Sequence, residues 1–270
     1  GRPEKASPRK MRPPPHVLFP LGDYGGNQRL VKNAAENVTI EVEVGKRRCP
    51  SCHAVTFHLA CTCGAHTEVI EGKPEKQHIN LSEELERAQK NLKEHILPET
   101  IKGVIGTISK HKTPEPLEKG ILRAKHNVYV FKDGTIRFDM TDAPLTHFKP
   151  KEIGVPVKRI KELGYIKDYL GNDLQSDEQI CELKVQDVIV ANACAEYFVQ
   201  VSKFIDDLLT KFYGVNRFYK VKKNQDIIGH LVVGLAPHTS AGALGRIIGF
   251  TSAQVCFMHP FFHATKRRHC

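Results

Sequence analysis

Four cysteines within a short span constrain this chain more than any other feature. Cys49-Pro50-Ser51-Cys52 is followed, after eight intervening residues, by Cys61-Thr62-Cys63-Gly64. Cysteine pairs on two adjacent turns can bring four thiolates into a tetrahedron, and Zn²⁺ is the usual occupant. The second turn has one intervening residue where two are usual, and His53, His58 and His66 lie close enough to take the place of a cysteine. A closed four-ligand centre leaves no position for a substrate, so the spacing predicts a structural zinc site on Cys49, Cys52, Cys61 and Cys63.

The remaining cysteines are scattered singly, so the eight in the chain read as one metal site in a reducing cytoplasm and not as a disulfide framework. Cys181, Cys194 and Cys256 sit in apolar surroundings and are expected to be small buried hydrophobes. With 270 residues, 40% of them hydrophobic, the chain can bury two or three compact units. No apolar run is long enough for a membrane span and no signal peptide opens the chain, which predicts a soluble cytoplasmic protein with no membrane partner. Forty Lys plus Arg against 30 Asp plus Glu give a net charge of +10, which favours a polyanionic partner. A ribosomal or membrane-surface protein would share that charge. The absence of an internal repeat, a P-loop, a GxGxxG turn and a nucleophile elbow removes the commonest nucleotide enzymes from consideration.

Along the chain, residues 1–20 are basic and proline-rich, as in a flexible tail, but the apolar seed His16 to Phe19 predicts a tail that docks. Ile40 to Val44 alternates apolar and acidic residues as an exposed strand does. Leu81 to Leu97 is expected to be an amphipathic helix capped by Ser82 and ended near Pro98. From Ile101 the pattern predicts β-runs at Val104–Ile108, Ile121–Lys125, Val128–Phe131 and Thr135–Met140, with a turn at Asp133-Gly134. Asp139 and Asp142 are suited either to a cation or, more commonly, to a turn. Ile153–Leu163 and Gln179–Leu209 read mainly as helical, with Asp206 and Asp207 pointing to different sides.

Phe212, Tyr213, Phe218 and Tyr219, set among Lys211, Arg217, Lys220, Lys222 and Lys223, combine stacking surfaces with positive charge, as single-strand binders do. A core edge with a solvated rim would have the same composition. Ile227 to Leu235 reads as an apolar strand. Beyond it, Ser240, Gly242 and Gly245 would allow a backbone or phosphate to approach, and Ile247, Ile248 and Phe250 read as a short buried strand. His259, Pro260 and His263 then lead into Lys266, Arg267, Arg268 and His269, a dense set of donors and positive charge suited to phosphates.

Both ends carry a family resemblance. The closing GRIIGFT strand, the HPFFHA turn and the KRR run, together with the opening GRPEKA, RKM and PPPHVLFP, resemble the large subunit of the archaeal family D DNA polymerase. KGILRAKH and FKDGTIRFDMTDAPLTHF are similar to that family's first barrel region. The resemblance implies an α+β chain: a zinc ribbon plus double-psi β-barrel-like units with intervening helices. It divides the chain into a basic docking segment at 1–39, the zinc ribbon at 40–75 and a helix with the first barrel-like unit at 76–150. A helical region at 151–224 and the start of a second barrel-like catalytic unit at 225–270 follow.

In that family the KRR run leads into an Asp-Gly-Asp motif that holds the catalytic metal. The resemblance therefore implies a chain that contributes to template-directed nucleotidyl transfer and lacks the metal-holding carboxylates, Mg²⁺ being needed by the complete site. Arg2, Lys5, Arg9, Lys10, Lys266, Arg267 and Arg268 would contact primer-template DNA or dNTP phosphates, and His259 and His263 would orient or contact phosphate. A small subunit bearing the 3′ to 5′ exonuclease is the implied protein partner. The rival reading is a non-enzymatic zinc-ribbon module that binds nucleic acid or scaffolds a complex. The glycine start and Cys270 end suggest one piece of a longer polypeptide, including a segment bounded by protein-splicing junctions.

Overall fold

The computed structural model describes residues 14–236 and 242–265, which divide into two units. One takes residues 14–137 with Lys203–Lys220, and the other residues 138–202 with those from Val221 onward. Several small sheets and short helices make the chain a mixed α/β protein.

In the first unit, helix α1 (Val31–Ala35) precedes strand β1 (Thr39–Val44), whose Ile40, Val42 and Val44 are buried while Thr39, Glu41 and Glu43 face water. That alternation is the period of two expected of a half-buried strand. Strands β2 (Arg47–Arg48), β3 (Val55–Thr56) and β4 (Glu68–Val69) form a small antiparallel sheet with β2 in the centre. Strand β5 (Glu75–Asn80) pairs antiparallel with β1, setting Ile79 opposite Ile40. Helix α2 (Leu81–Leu92) follows at once, capped by Asn80 and not by Ser82, the Asn80 side chain accepting from the Glu83 amide at 3.2 Å. It stops at Lys93, which takes a left-handed backbone at φ 54°, so Ile96 lies outside the helix and is exposed.

The run Ile121–Lys125 is helical, contrary to its expected β character. Helix α3 (Leu117–Lys125) buries Leu117, Ile121 and Leu122, which recur at helical spacing after Pro116 at the N-cap. A Cβ on Gly120 would stand 2.7 Å from Val17 Cβ, so the absent side chain lets the docked segment lie against the helix. That segment binds edge-on: the His16 and Val17 amides both donate to Lys102 O, at 2.8 and 3.1 Å, and Val17, Phe19 and Leu21 are buried. The His16 ring accepts from the Lys102 amide at 3.0 Å. Burial, helped by the charges of Lys102 and Arg123, pushes the His16 pKa down to about 4. Residues 128–140 form no strand, though the Asp133-Gly134 turn is present, with the Phe131 amide donating to Thr135 O at 2.8 Å.

The second unit is organised by a five-stranded sheet. Its strands are β6 (Asp142–Pro144), β9 (Asp187–Ala191), β10 (Leu231–Leu235), β11 (Gly242–Thr251) and β12 (Cys256–Met258), in the order β10-β11-β9-β12-β6. A two-stranded pair, β7 (His147–Phe148) with β8 (Cys181–Glu182), and helix α4 (Val157–Glu162) lie between in sequence. Every residue of β9 is buried, and the expected helix over 179–209 begins only with α5 (Asn192–Asp207). A short, wholly apolar and β-branched run such as Val188-Ile189-Val190 fits a central strand, and periodicity alone does not separate it from a helix. Strand β11 pairs parallel with β9 and buries Ile247, Ile248 and Phe250 as expected. A Cβ on Gly249 would come 2.6 Å from Ile153 Cδ1, so this glycine admits the neighbouring side chain. The chain closes its described part with helix α6 (Pro260–Ala264).

Candidate functional site

The first candidate centre sits on two hairpin tips. Strands β2 and β3 carry one: the Cys49 amide donates to Ala54 O at 2.9 Å, and His53 turns the chain at φ 62°. The other is the hairpin closed by the Ala60–His66 bridge, in which the Cys61 amide donates to Ala65 O at 2.9 Å and Gly64 turns the chain at φ 89°. The missing residue of the second knuckle is thus absorbed by a tighter turn, bonded from Gly64 N to Cys61 O at 2.9 Å, that glycine adopts without strain. All four sulfurs lie within 4.8 Å of one another. Cys49 Sγ is 3.5 Å from Cys63 Sγ, and Cys52 Sγ is 3.5 Å from Cys61 Sγ.

Four sulfurs each about 2.3 Å from a central zinc would be about 3.8 Å apart, so the observed set fits a tetrahedral ion with small adjustments. All four are free thiols. The Cys63 amide, with the Cys52 thiol behind it, pulls the Cys61 pKa down to about 6. The Ala54 amide pulls Cys52 the same way, but the thiols of Cys61, Cys49 and Cys63 outweigh it and push Cys52 up to about 12. Crowded sulfurs cannot all ionise against one another, and a divalent cation between them removes the conflict. The four cysteines could therefore hold a metal such as zinc. The histidines offered as substitutes play other parts: His58 Nε2 lies 3.2 Å from Glu84 Oε1 and 3.0 Å from Arg87 Nη2.

The second centre is nonlocal. His259 caps α6, its Nδ1 accepting from the Phe261 amide at 3.2 Å. One turn on, His263 Nδ1 lies 3.0 Å from Asp142 Oδ2. Strand β6 runs parallel to β12, with Asp142 opposite Cys256, which carries a buried carboxylate to the foot of α6. A carboxylate only accepts, so Nδ1 of His263 carries the proton and its tautomer is fixed. Asp142 Oδ1 is buried and has no hydrogen-bond partner among the described residues. Residues 235–270 contain no acid, and the pairing of β6 with β12 brings Asp142 to His263 from 121 residues away.

Within the same sheet, where β11 pairs with β9, Arg246 grips buried Asp187 by Nε and Nη2, both at 2.8 Å, and the Tyr165 hydroxyl donates to Asp187 Oδ2 at 2.5 Å. Burial and the Asp187 carboxylate push the Tyr165 pKa up. The glycines expected to admit a phosphate are spoken for: a Cβ on Gly242 would meet Val233 at 2.4 Å, and one on Gly245 would meet Phe262 and Val188 at 3.2 Å. Ser240, Arg2, Lys5, Arg9, Lys10, Lys266, Arg267 and Arg268 lie outside the described residues. Cys181 and Cys194 are buried as expected, and Cys256 is half-buried. Among the described residues no helix is long and apolar enough to cross a membrane.

Residues 93–270 match the family described as the DNA polymerase II large subunit DP2, catalytic domain, and residues 1–83 match its central domain. The chain is 56% identical over 271 residues to the DNA polymerase II large subunit of Methanothermobacter thermautotrophicus, covering 100% of this chain and 24% of that protein. The subunit of Methanocella arvoryzae is 52% identical over 299 residues, with 100% and 26% covered. That of Pyrococcus horikoshii is 51% identical over 300 residues, with 100% and 21% covered. The chain thus spans about a quarter of the length of these relatives. Since the match runs the whole length of the chain and takes in both domains, this chain belongs to the archaeal family D DNA polymerase large-subunit family.

Proposed function

We propose that this chain supplies DNA and phosphate contacts within the large catalytic subunit of a replicative DNA-directed DNA polymerase. It would act with a small subunit that bears 3′ to 5′ exonuclease activity. The observation that carries the reading is the match of residues 93–270 to the catalytic domain, preceded by the match of 1–83 to the central domain. Arg2, Lys5, Arg9 and Lys10 at one end and Lys266, Arg267 and Arg268 at the other would neutralise phosphates of primer-template DNA and dNTP. His263, bonded to Asp142, and His259, at the start of α6, would orient or contact phosphate.

The cysteine turns would form a zinc ribbon within 40–75, the zinc fixing the turns and taking no part in chemistry. The remaining division would be a docking segment at 1–39, a helix with a further unit at 76–150 in which helix α3 and the strandless 128–140 stand where barrel strands were expected, a helical region at 151–224 and the start of a second barrel-like unit at 225–270. The mixed sheet holding β9 and β11 is material a double-psi barrel would use. Nucleotidyl transfer needs Mg²⁺ held by carboxylates. Among the described residues the cysteines are the one group of three or more candidate ligands brought together, so no residue set here fits Mg²⁺ and no step is assigned to it.

Primer extension tests the proposal. The chain alone should give no Mg²⁺-dependent synthesis, and the complete large subunit with its small subunit should. Charge reversal at Arg267 and Arg268 in the complete enzyme should lower synthesis without changing metal content. Robust extension by the chain alone, or full activity in the double variant, would contradict the assignment.

A further inference from the structure

The end of α5 and the loop after it form a patch that the proposed phosphate contacts do not use. The Asp206 carboxylate is buried, and it accepts three successive backbone amides: Phe218 at 2.9 Å, Tyr219 at 2.8 Å and Lys220 at 2.7 Å. Three amide donors on one buried carboxylate fix the backbone of 218–220, and Lys220 is held at φ 54°. The loop so fixed leaves Phe218 in water, with half-buried Tyr219 edge-on to it at 4.9 Å between ring centres. Phe218 is 71% exposed and Tyr213 54%, values that set them apart from ordinary core-edge rings. Holding a large apolar ring in water on a fixed backbone gives up the stabilisation that burial would bring.

Charge selects the occupant. Residues 208–220 contain Lys211, Arg217 and Lys220 and no acid. Arg217 reaches back to Asp207 at 3.8 Å, whereas Lys220 is exposed and makes no ion pair among the described residues. Rigid exposed rings interleaved with cations match a chain of flat bases on a phosphate backbone, and a paired duplex buries the faces those rings would stack on.

We infer that the 213–220 loop is a stacking contact for unpaired bases of single-stranded DNA, with Phe218 as the stacking ring and Arg217 and Lys220 on the adjoining phosphates. The inference rests on the reading that this chain acts on DNA. It adds a site for the strand where it is unpaired, apart from the basic ends.

Binding of a fluorescent oligo-dT and of a blunt duplex to the full chain tests it, with Phe218→Ala, Phe218→Tyr and the pair Arg217→Gln, Lys220→Gln. Because Phe218 is exposed, its truncation should leave the melting temperature unchanged. Phe218→Ala should weaken oligo-dT binding by roughly 5- to 150-fold, with an unaltered salt dependence and little effect on the duplex. Phe218→Tyr should retain binding, and the double Gln variant should flatten the salt slope by about 1 to 2. Photocross-linking of an iodouridine oligonucleotide should label residues 213–219. Equal affinity of Phe218→Ala and the unaltered chain for oligo-dT, or an equal loss on duplex and single strand, would overturn the inference and leave the DNA reading standing. So would a loss of binding to the small subunit with DNA binding intact. If the unaltered chain bound no DNA at low salt, both would fall.

Discussion

The cysteine hairpins of the first unit and the Asp187–Arg246 core of the second hold concentrated charge by different means. In the hairpins, four sulfurs from a span of fifteen residues converge because two turns, one through His53 and one through Gly64, point their knuckles inward. Little apolar surface surrounds them: Val55, Leu59 and Val69 are exposed, and strands β2 to β4 are two residues each. In the second unit the charges lie 59 residues apart and meet on adjacent strands of a five-stranded sheet, with Asp187 almost wholly out of water. A region with so small a core would gain most from a bound metal ion, while the sheet supplies its own cohesion and its ion pair links β9 to β11. The two regions should therefore fail under different insults.

The largest expected effect is metal removal. Purified without chelator, the chain should carry about one zinc, and stripping it should unfold the 46–70 hairpins while the second unit keeps its structure. Amide exchange before and after chelation would show this; a metal-free chain with protected hairpins would break the contrast. Next in size is Asp187→Asn, which leaves Arg246 facing a neutral partner. The loss should be about 3 kcal/mol, at the low end for a buried pair because the Arg246 side chain keeps 29% of its exposure. Thermal melts should show it with zinc content unchanged, and a neutral outcome would mean that the sheet alone fixes the register.

A comparable but pH-limited effect belongs to His16, which the fold holds neutral down to about 4 against an ordinary value near 6.5. The unfolded chain takes up a proton first as pH falls, so the stabilisation is complete above about 6.5 and is lost between there and about 4. The span is worth roughly 3 kcal/mol at most. His16→Gln should flatten that part of a stability-against-pH curve; an unchanged slope would show that the buried His16 ring is not the group whose protonation sets it.

What could be read from the sequence followed the same division. The cysteine knuckles and the alternation of β1 depend on neighbours within a few residues, and both stand in the structure. Helix α3 is not legible in Ile121 to Lys125 taken alone, a run too short to show a period, whereas Leu117 and Pro116 just upstream set the helical phase. Strand β9 was hidden by being apolar on both faces. The Asp142–His263 contact spans 121 residues and depends on β6 lying beside β12, a pairing that no local pattern encodes.

The central claim is that this chain meets DNA through phosphate neutralisation at its basic ends, and the most direct measurement is its affinity for primer-template DNA across salt concentrations. A steep linear fall of log affinity with log salt is predicted, with Arg267→Glu and Arg268→Glu lowering both the affinity and the slope, the latter by about 2. Binding indifferent to salt, or a double variant with the slope of the unaltered chain, would contradict it.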